Sequence, residues 1–213
     1  MTYKLTGDFS ADTEAPVTVS LRCPVCRQQG TFESLHGVAD LWHHDSSTGF
    51  GQRRCPNPRC NAHVFAVFNT SALLGSYPPE RLDFDTAAIP TRIATSLEEA
   101  IACHAASCYT AAAIMVRKTL EELCTEKAAE GSNLYKRIEN LKTKVVLPGE
   151  LFNGMQHLRL LGNDAAHIES QTYSQVGREE VEVGILFAKE LLKAVYQYAV
   201  LVERLYALQV KPK

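Results

Sequence analysis

Several things are missing from this sequence of 213 residues. Neither sign of charge dominates: 22 Lys and Arg stand against 24 Asp and Glu. That excludes the broad basic field that holds nucleic acid non-specifically, and an acidic tail as well, so any nucleic-acid contact has to be local. No membrane span is visible: the most apolar stretch, Ala194 to Leu208, is broken by Gln197, Glu203 and Arg204 and reads as a core helix. Met1 to Ala15 is polar and acidic, without the apolar core of a signal peptide, so a cytoplasmic location and no membrane partner are expected. A glycine-rich phosphate loop is lacking, since Gly49-Phe50-Gly51 is too short and poorly placed. No serine or cysteine stands in a recognisable activated setting for a nucleophile. Nor is there a basic recognition helix of the kind a transcription regulator uses, an internal repeat or a low-complexity tract.

Cysteine is plentiful and unevenly placed. Of seven, four cluster at tight spacings as Cys23-Pro24-Val25-Cys26 and Cys55-Pro56-Asn57-Pro58-Arg59-Cys60, and three (Cys103, Cys108, Cys124) fall in a helical stretch. A disulfide framework scarcely explains that split in a chain without export signals. Two short pairs, each bent by a proline-set turn, place four thiolates at the corners of a tetrahedron, which is the donor set of structural Zn²⁺. Four such ligands close the coordination sphere and leave no position for a reactive water. The net charge of the loaded site is then −2, and Arg22, Arg27, Arg53, Arg54 and Arg59 lie beside it in sequence to offset it. His36, His43, His44 and His63 are read as surface or loop residues. The pattern resembles zinc ribbons, which often touch protein or nucleic-acid partners. Burial as small apolar side chains accounts for Cys103, Cys108 and Cys124.

The chain divides by texture into a cysteine-bearing module over 1–70, a proline-containing connector over 71–95 and a helical domain over 96–213. Val17 to Leu21, Thr31 to Leu35 and Val64 to Phe68 read as strands, His43 to Gly51 as a loop, and Trp42 as a cap on the small core. Ser96-Leu97-Glu98-Glu99 fits a capping box at the first helix start. Helix is expected through Ala129 with a break near Ser107, Ala113, Val116, Leu120 and Leu123 forming its stripe. A short helix over Asn133 to Lys142 follows, then one after Pro148 carrying Leu151, Met155, Leu158, Gly162 and Ala165. The last helix, Arg178 to Leu208, is apolar on more than one face, so it is either central in a bundle or covers a partner chain. The fold class is therefore α+β.

Within the third helix Arg159, Asn163 and His167 follow one another at four-residue spacing and share a face. A cation, an amide and an imidazole on one stripe can bind phosphate and move a proton. They can equally be solvated or brace a neighbouring loop. Arg117 and Glu121 form an i, i+4 pair that either bridges internally or sends Arg117 across to the Asn163 and His167 face.

From about Tyr77 to Leu205 the chain resembles the bacterial domain of unknown function 4145. The likeness rests on Leu97-Glu98-Glu99-Ala100, the run Ala111 to Glu121, and Leu158-Arg159-Leu160-Leu161-Gly162-Asn163-Asp164-Ala165-Ala166-His167. Members often carry a cysteine-pair segment in front, and occur alone or attached to restriction and other anti-phage proteins. That family is similar to the HEPN helical bundles, many of which are metal-independent ribonucleases acting as dimers through an Arg, a spacer of four to six residues, and a His. The resemblance implies an all-α HEPN-like bundle, a homodimer, and a site at Arg159 and His167 with Asn163 beside them. Here seven residues separate Arg159 from His167. The reading is thus a zinc-binding, non-enzymatic interaction module with an RNA or protein partner; the alternative is a HEPN-type ribonuclease.

Overall fold

The computed structural model describes residues 7–12, 17–44, 47–70, 72–166 and 176–208. The chain forms two compact units, 1–83 and 84–213. The first is an antiparallel sheet and the second is helical, so the α+β class holds. None of the described helices is long and apolar enough to cross a membrane.

Seven strands build the sheet: β1 (Phe9–Asp12), β2 (Val19–Arg22), β3 (Gln29–Ser34), β4 (Asp40–His43), β5 (Thr48–Arg54), β6 (His63–Phe68) and β7 (Leu73–Tyr77). β5 is the hub: it pairs with β4 at one end, β3 at the other, and β6 along its opposite edge. β1 extends the sheet beyond β4, β2 beyond β3, and β7 beyond β6. The inner face gathers Val19, Leu21, Phe32, Val64, Ala66 and Phe68 around two of the cysteines. Trp42 packs against this cluster, its ring edge-on to Phe68 at 5.5 Å, as its expected capping role requires.

Within the stretch expected as a loop, His43 to Gly51, His43 ends β4 and residues 48–51 begin β5. Its inner positions explain why it does not read as a strand. A Cβ at Gly49 would stand 2.4 Å from the Phe68 ring, and one at Gly51 would stand 1.8 Å from an Asp40 carboxylate oxygen. Glycine leaves room for both, and the remaining inner side chain, Arg53, is charged, so the apolar alternation that signals a strand is absent. Residues 71–95, expected as a connector, carry β7 and the first residues of a helix.

The helical unit contains α1 (Thr91–Ala105), α2 (Tyr109–Glu126), α3 (Leu134–Leu141), α4 (Gly149–Ala166), α5 (Arg178–Leu192), a π-turn (Lys193–Gln197) and α6 (Tyr198–Ala207). α1 starts six residues earlier than the Ser96 capping box would have it. Pro90 has φ −54° and its carbonyl takes the amides of Ile93 and Ala94, both at 3.0 Å. Pro90 thus occupies the N-cap position, and Ser96 is left buried inside the helix. The break near Ser107 is present, with that residue left-handed at φ 61° between α1 and α2. Ala113, Val116, Leu120 and Leu123 are all fully buried. Of the three helical cysteines Cys124 is buried, Cys103 half-buried and Cys108 exposed, so burial does not account for Cys108. Burial pushes the Cys124 thiol up to about 11.

Asn133 caps α3 by accepting the Lys136 amide at 2.9 Å. Asn133→Ala removes the acceptor and is expected to cost about 1 kcal/mol. Thermal unfolding of the two proteins side by side measures this. α4 buries Phe152, Met155, Leu158, Leu161 and Gly162. The expected last helix is continuous in sequence but not in environment. α5 buries Val181, Ile185, Ala188, Leu191 and Leu192, whereas α6 buries nothing.

Candidate metal centre

Two structurally similar turns carry the four N-terminal cysteines. Cys23 directly follows β2, and its carbonyl takes the Arg27 amide at 2.9 Å while its amide goes to the Gln28 carbonyl at 2.9 Å. Arg27 is left-handed at φ 61°. Cys55 directly follows β5, its amide bound to the Ala62 carbonyl at 2.8 Å, and Asn61 is left-handed at φ 49° after Cys60. In both turns a strand delivers the first cysteine, a tight turn the second, and a left-handed residue leads the chain away. The side-chain amide of Asn57 ties the turns together by donating to the Gln28 side chain at 3.0 Å.

The four Sγ atoms lie within 4.8 Å of one another. Cys23 and Cys60 sulfurs are 3.8 Å apart, and those of Cys26 and Cys55 are 3.7 Å apart. All four are free thiols. A tetrahedron of sulfurs about Zn²⁺, with Zn–S near 2.3 Å, has edges of about 3.8 Å. Two of the six edges match that length and the rest lie within 4.8 Å, so the four cysteines could hold a metal ion. Cys23 and Cys55 are buried and the other two half-buried, so the cluster lies partly inside the small apolar core.

A hydrogen bond from the Gln28 amide, with further ones from the other cysteines, holds Cys26 down at about 7, while burial pushes Cys55 up to about 12 and also raises Cys60. A bound cation reverses that penalty by neutralising the sulfurs. None of His36, His43, His44 and His63 belongs to the cluster.

Not all of the arginines near the cysteines in sequence serve the site. Arg53 is wholly buried on the inner face and forms a bidentate pair with Asp40, both contacts at 2.7 Å. Its guanidinium also lies 4.6 Å from the Phe68 ring centre. Arg22 donates to the Arg27 carbonyl at 3.1 Å and pairs with Asp83 at 3.6 Å. The Asp40–Arg53 pair was not legible as a site. Its only trace is an acid and a base at inner positions of strands that alternate irregularly.

In the helical unit, Arg117 reaches from α2 to α4. Its guanidinium donates to the Asn163 side-chain oxygen, to the Arg159 carbonyl at 3.4 Å, and bridges Glu121 at 3.1 Å. Arg117 thus bridges Glu121 within its own helix and also reaches Asn163 on α4. Arg159 turns elsewhere, donating to the Gln156 side chain at 2.9 Å with its guanidinium 5.6 Å from the Tyr135 ring centre. Arg159 and Asn163 sit one turn apart on α4 but serve different neighbours. His167 lies outside the described residues. Gly162 admits Arg117: a Cβ there would stand 2.5 Å from the Arg117 Cβ. Gly162→Ala is therefore expected to push α2 and α4 apart locally and cost about 1–3 kcal/mol, as overpacking does. Urea unfolding with the loss of the Arg117–Asn163 contact followed by NMR checks it.

The chain is thus of a definite class: a sheet module with a metal-competent four-cysteine cluster, followed by a helical domain held together by a buried apolar core and an Arg–Asn crosslink. Residues 98–210, a little over half of the chain, match the family described as Domain of unknown function (DUF4145), and the chain belongs to that family. Neither a curated protein nor a solved structure matches the chain.

Proposed function

We propose that this protein is an interaction module in which a structural Zn²⁺ on Cys23, Cys26, Cys55 and Cys60 organises the sheet, and that it acts by binding a protein or nucleic-acid partner and not by catalysis. The observation that carries the reading is the four-sulfur cluster itself. All four donors are supplied by the protein, so a bound zinc has no open position at which to activate water. The zinc would hold the turns from which β2 and β5 are hung, and so fix the sheet.

The sheet's outer face supports the same reading. Phe9, Phe50 and Phe65 line up across β1, β5 and β6 with ring centres 6.1 and 6.4 Å apart, and Tyr77 is the cross-strand neighbour of Phe65. Phe9, Phe65 and Tyr77 are 44–50 % exposed. Gln52 and His63, hydrogen-bonded to each other at 2.9 Å, lie beside them. Exposed rings bordered by hydrogen-bonding groups suit a partner's apolar side chains or unpaired bases.

A second reading, a metal-independent ribonuclease of the HEPN type, draws on one observation: Arg117 brings a guanidinium to Asn163, four positions before His167 in sequence. The family resemblance supplies a setting beside restriction or other anti-phage proteins. One experiment separates the readings. Full-length protein is incubated in chelator with a labelled RNA pool, beside Arg159→Ala and His167→Ala. Intact RNA in every lane is expected. Cleavage by the parent that both substitutions abolish would overturn the binding role in favour of the nuclease.

A further inference from the structure

The turn between α1 and α2 brings two cysteines together. Ser107 is left-handed at φ 61°, its amide donates to the His104 carbonyl at 2.9 Å, and the Cys108 amide donates to the Cys103 carbonyl at 2.8 Å. This pair of bonds is the Schellman closure of a helix, in which the side chains at the two ends of the longer bond commonly pack together. α2 closes in the same way. Ala128 is left-handed at φ 50°, its amide donates to the Thr125 carbonyl at 3.0 Å, and the Ala129 amide donates to the Cys124 carbonyl at 2.8 Å. There the paired positions, Cys124 and Ala129, are both buried, as an apolar contact requires. At the end of α1 both positions are cysteine, with Cys103 half-buried and Cys108 exposed.

Covalent geometry decides what this pair can do. With standard bond lengths on either side, the 2.8 Å bond from the Cys108 amide to the Cys103 carbonyl keeps the two Cα atoms within about 6.7 Å, inside the ~4.4–6.8 Å that a disulfide spans. The Cys108 thiol lies 3.7 Å from the Ala106 carbonyl, and an exposed side chain has room to turn from there toward Cys103. Burial pushes the Cys103 thiol up and the charge of Cys108 adds to it, so the two sulfurs are within electrostatic reach of each other. The two thiols differ as an oxidisable pair requires: one is open to solvent, and the other stands behind it to resolve the oxidised sulfur.

We propose that Cys103 and Cys108 form a redox-active dithiol site whose co-substrate is a hydroperoxide, with Cys108 as the attacking thiol and Cys103 as the resolving one. The Cys108 sulfur takes one peroxide oxygen as the O–O bond breaks. The other oxygen leaves with the thiol proton, as water when the oxidant is hydrogen peroxide, and Cys108 becomes a sulfenic acid. The Cys103 sulfur then attacks the Cys108 sulfur. The S–S bond forms, the S–O bond breaks, and the hydroxyl leaves as a second water with the Cys103 proton. Two electrons pass from the two sulfurs to the peroxide. The disulfide ties the end of α1 to the start of α2 and removes the exposed thiol, and an external dithiol reverses it by exchange. None of the four N-terminal cysteines takes part, so this site stands or falls separately from the zinc module.

Peptide mass mapping of the full chain, kept in buffered zinc, tests this. Trypsin releases residues 93–117 as one peptide that contains Cys103 and Cys108 and no other cysteine. The protein is treated with excess hydrogen peroxide, quenched, unfolded in iodoacetamide and digested. The expected peptide carries neither alkyl group and is two hydrogens lighter than the free dithiol, and dithiothreitol before alkylation restores both labels. Cys124, buried at the matching place in α2, should keep its label throughout. In Cys103→Ser the oxidation stops one step short, and dimedone, which traps sulfenic acid, should mark Cys108. In Cys108→Ser, Cys103 should stay alkylated. Circular dichroism checks that both variants are folded. A doubly alkylated peptide from the peroxide-treated parent overturns the proposal, as does a disulfide from Cys108 to any cysteine other than Cys103. Dimedone on Cys103 of Cys108→Ser, at the level found on Cys108 of Cys103→Ser, overturns the assignment of roles.

Discussion

Cys23→Ser is expected to release the metal and unfold the sheet unit while the helical unit stays folded. The reasoning is one of scale. A unit of about 80 residues draws only about 3–5 kcal/mol from its apolar core. A structural zinc site contributes about 10–16 kcal/mol. Hydroxyl in place of a buried thiolate removes one of four donors, and the remaining three cannot hold the ion with the same affinity. The Cys23 amide and carbonyl also anchor the first turn, so the turn loosens with the metal. Hydrogen exchange followed by mass spectrometry on the full chain reads both units at once. Loss of protection confined to residues before 84 is the expected result. Unchanged protection throughout would show that the core alone suffices.

The second large effect is expected at the buried ion pair. Asp40→Ala leaves the Arg53 guanidinium at 0 % exposure with its own neighbouring carbonyl at 3.0 Å and the Phe68 ring for company. Breaking one partner of such a pair costs about 3–5 kcal/mol, because an uncompensated charge stays buried. Replacing both, as in Asp40→Leu with Arg53→Met, restores an apolar interior and is expected to recover most of the loss. Denaturant unfolding in excess zinc measures each variant. In chelator the single variant should have no folded sheet unit left, since the metal and the pair contribute to the same small structure. A single variant as stable as the parent would mean that Arg53 finds another partner or reaches water.

What was legible in the sequence and what was not follow from the range of the interactions involved. The cysteine cluster was legible because its determinants are local: two short spacings, prolines in the turns, and apolar strands on either side. The helices were legible for the same reason, through stripes such as Ala113, Val116, Leu120 and Leu123. β5 was hidden because its inner positions are chosen by what lies opposite: Gly49 by the Phe68 ring, Gly51 by Asp40, and Arg53 by that same carboxylate. Pro90 takes the N-cap position of α1, its carbonyl accepting the Ile93 and Ala94 amides, while Ser96 lies buried within the helix. Gly162 announced a close approach, and the structure identifies the approaching group as Arg117, a residue 45 positions earlier. The stripe of Arg159 and Asn163 was correctly placed on one helix. Which neighbour each side chain serves depends on α2 and α3, and no spacing within α4 encodes that.

The central claim is that four sulfurs bind one ion whose role is to build the sheet. Native mass spectrometry of the purified full chain tests it most directly. The account predicts one zinc per chain, stripped by a strong chelator together with collapse of the sheet's near-ultraviolet signal, and regained on adding zinc back. A chain that carries no stoichiometric metal, and keeps that signal after its front-end thiols are alkylated, would contradict it.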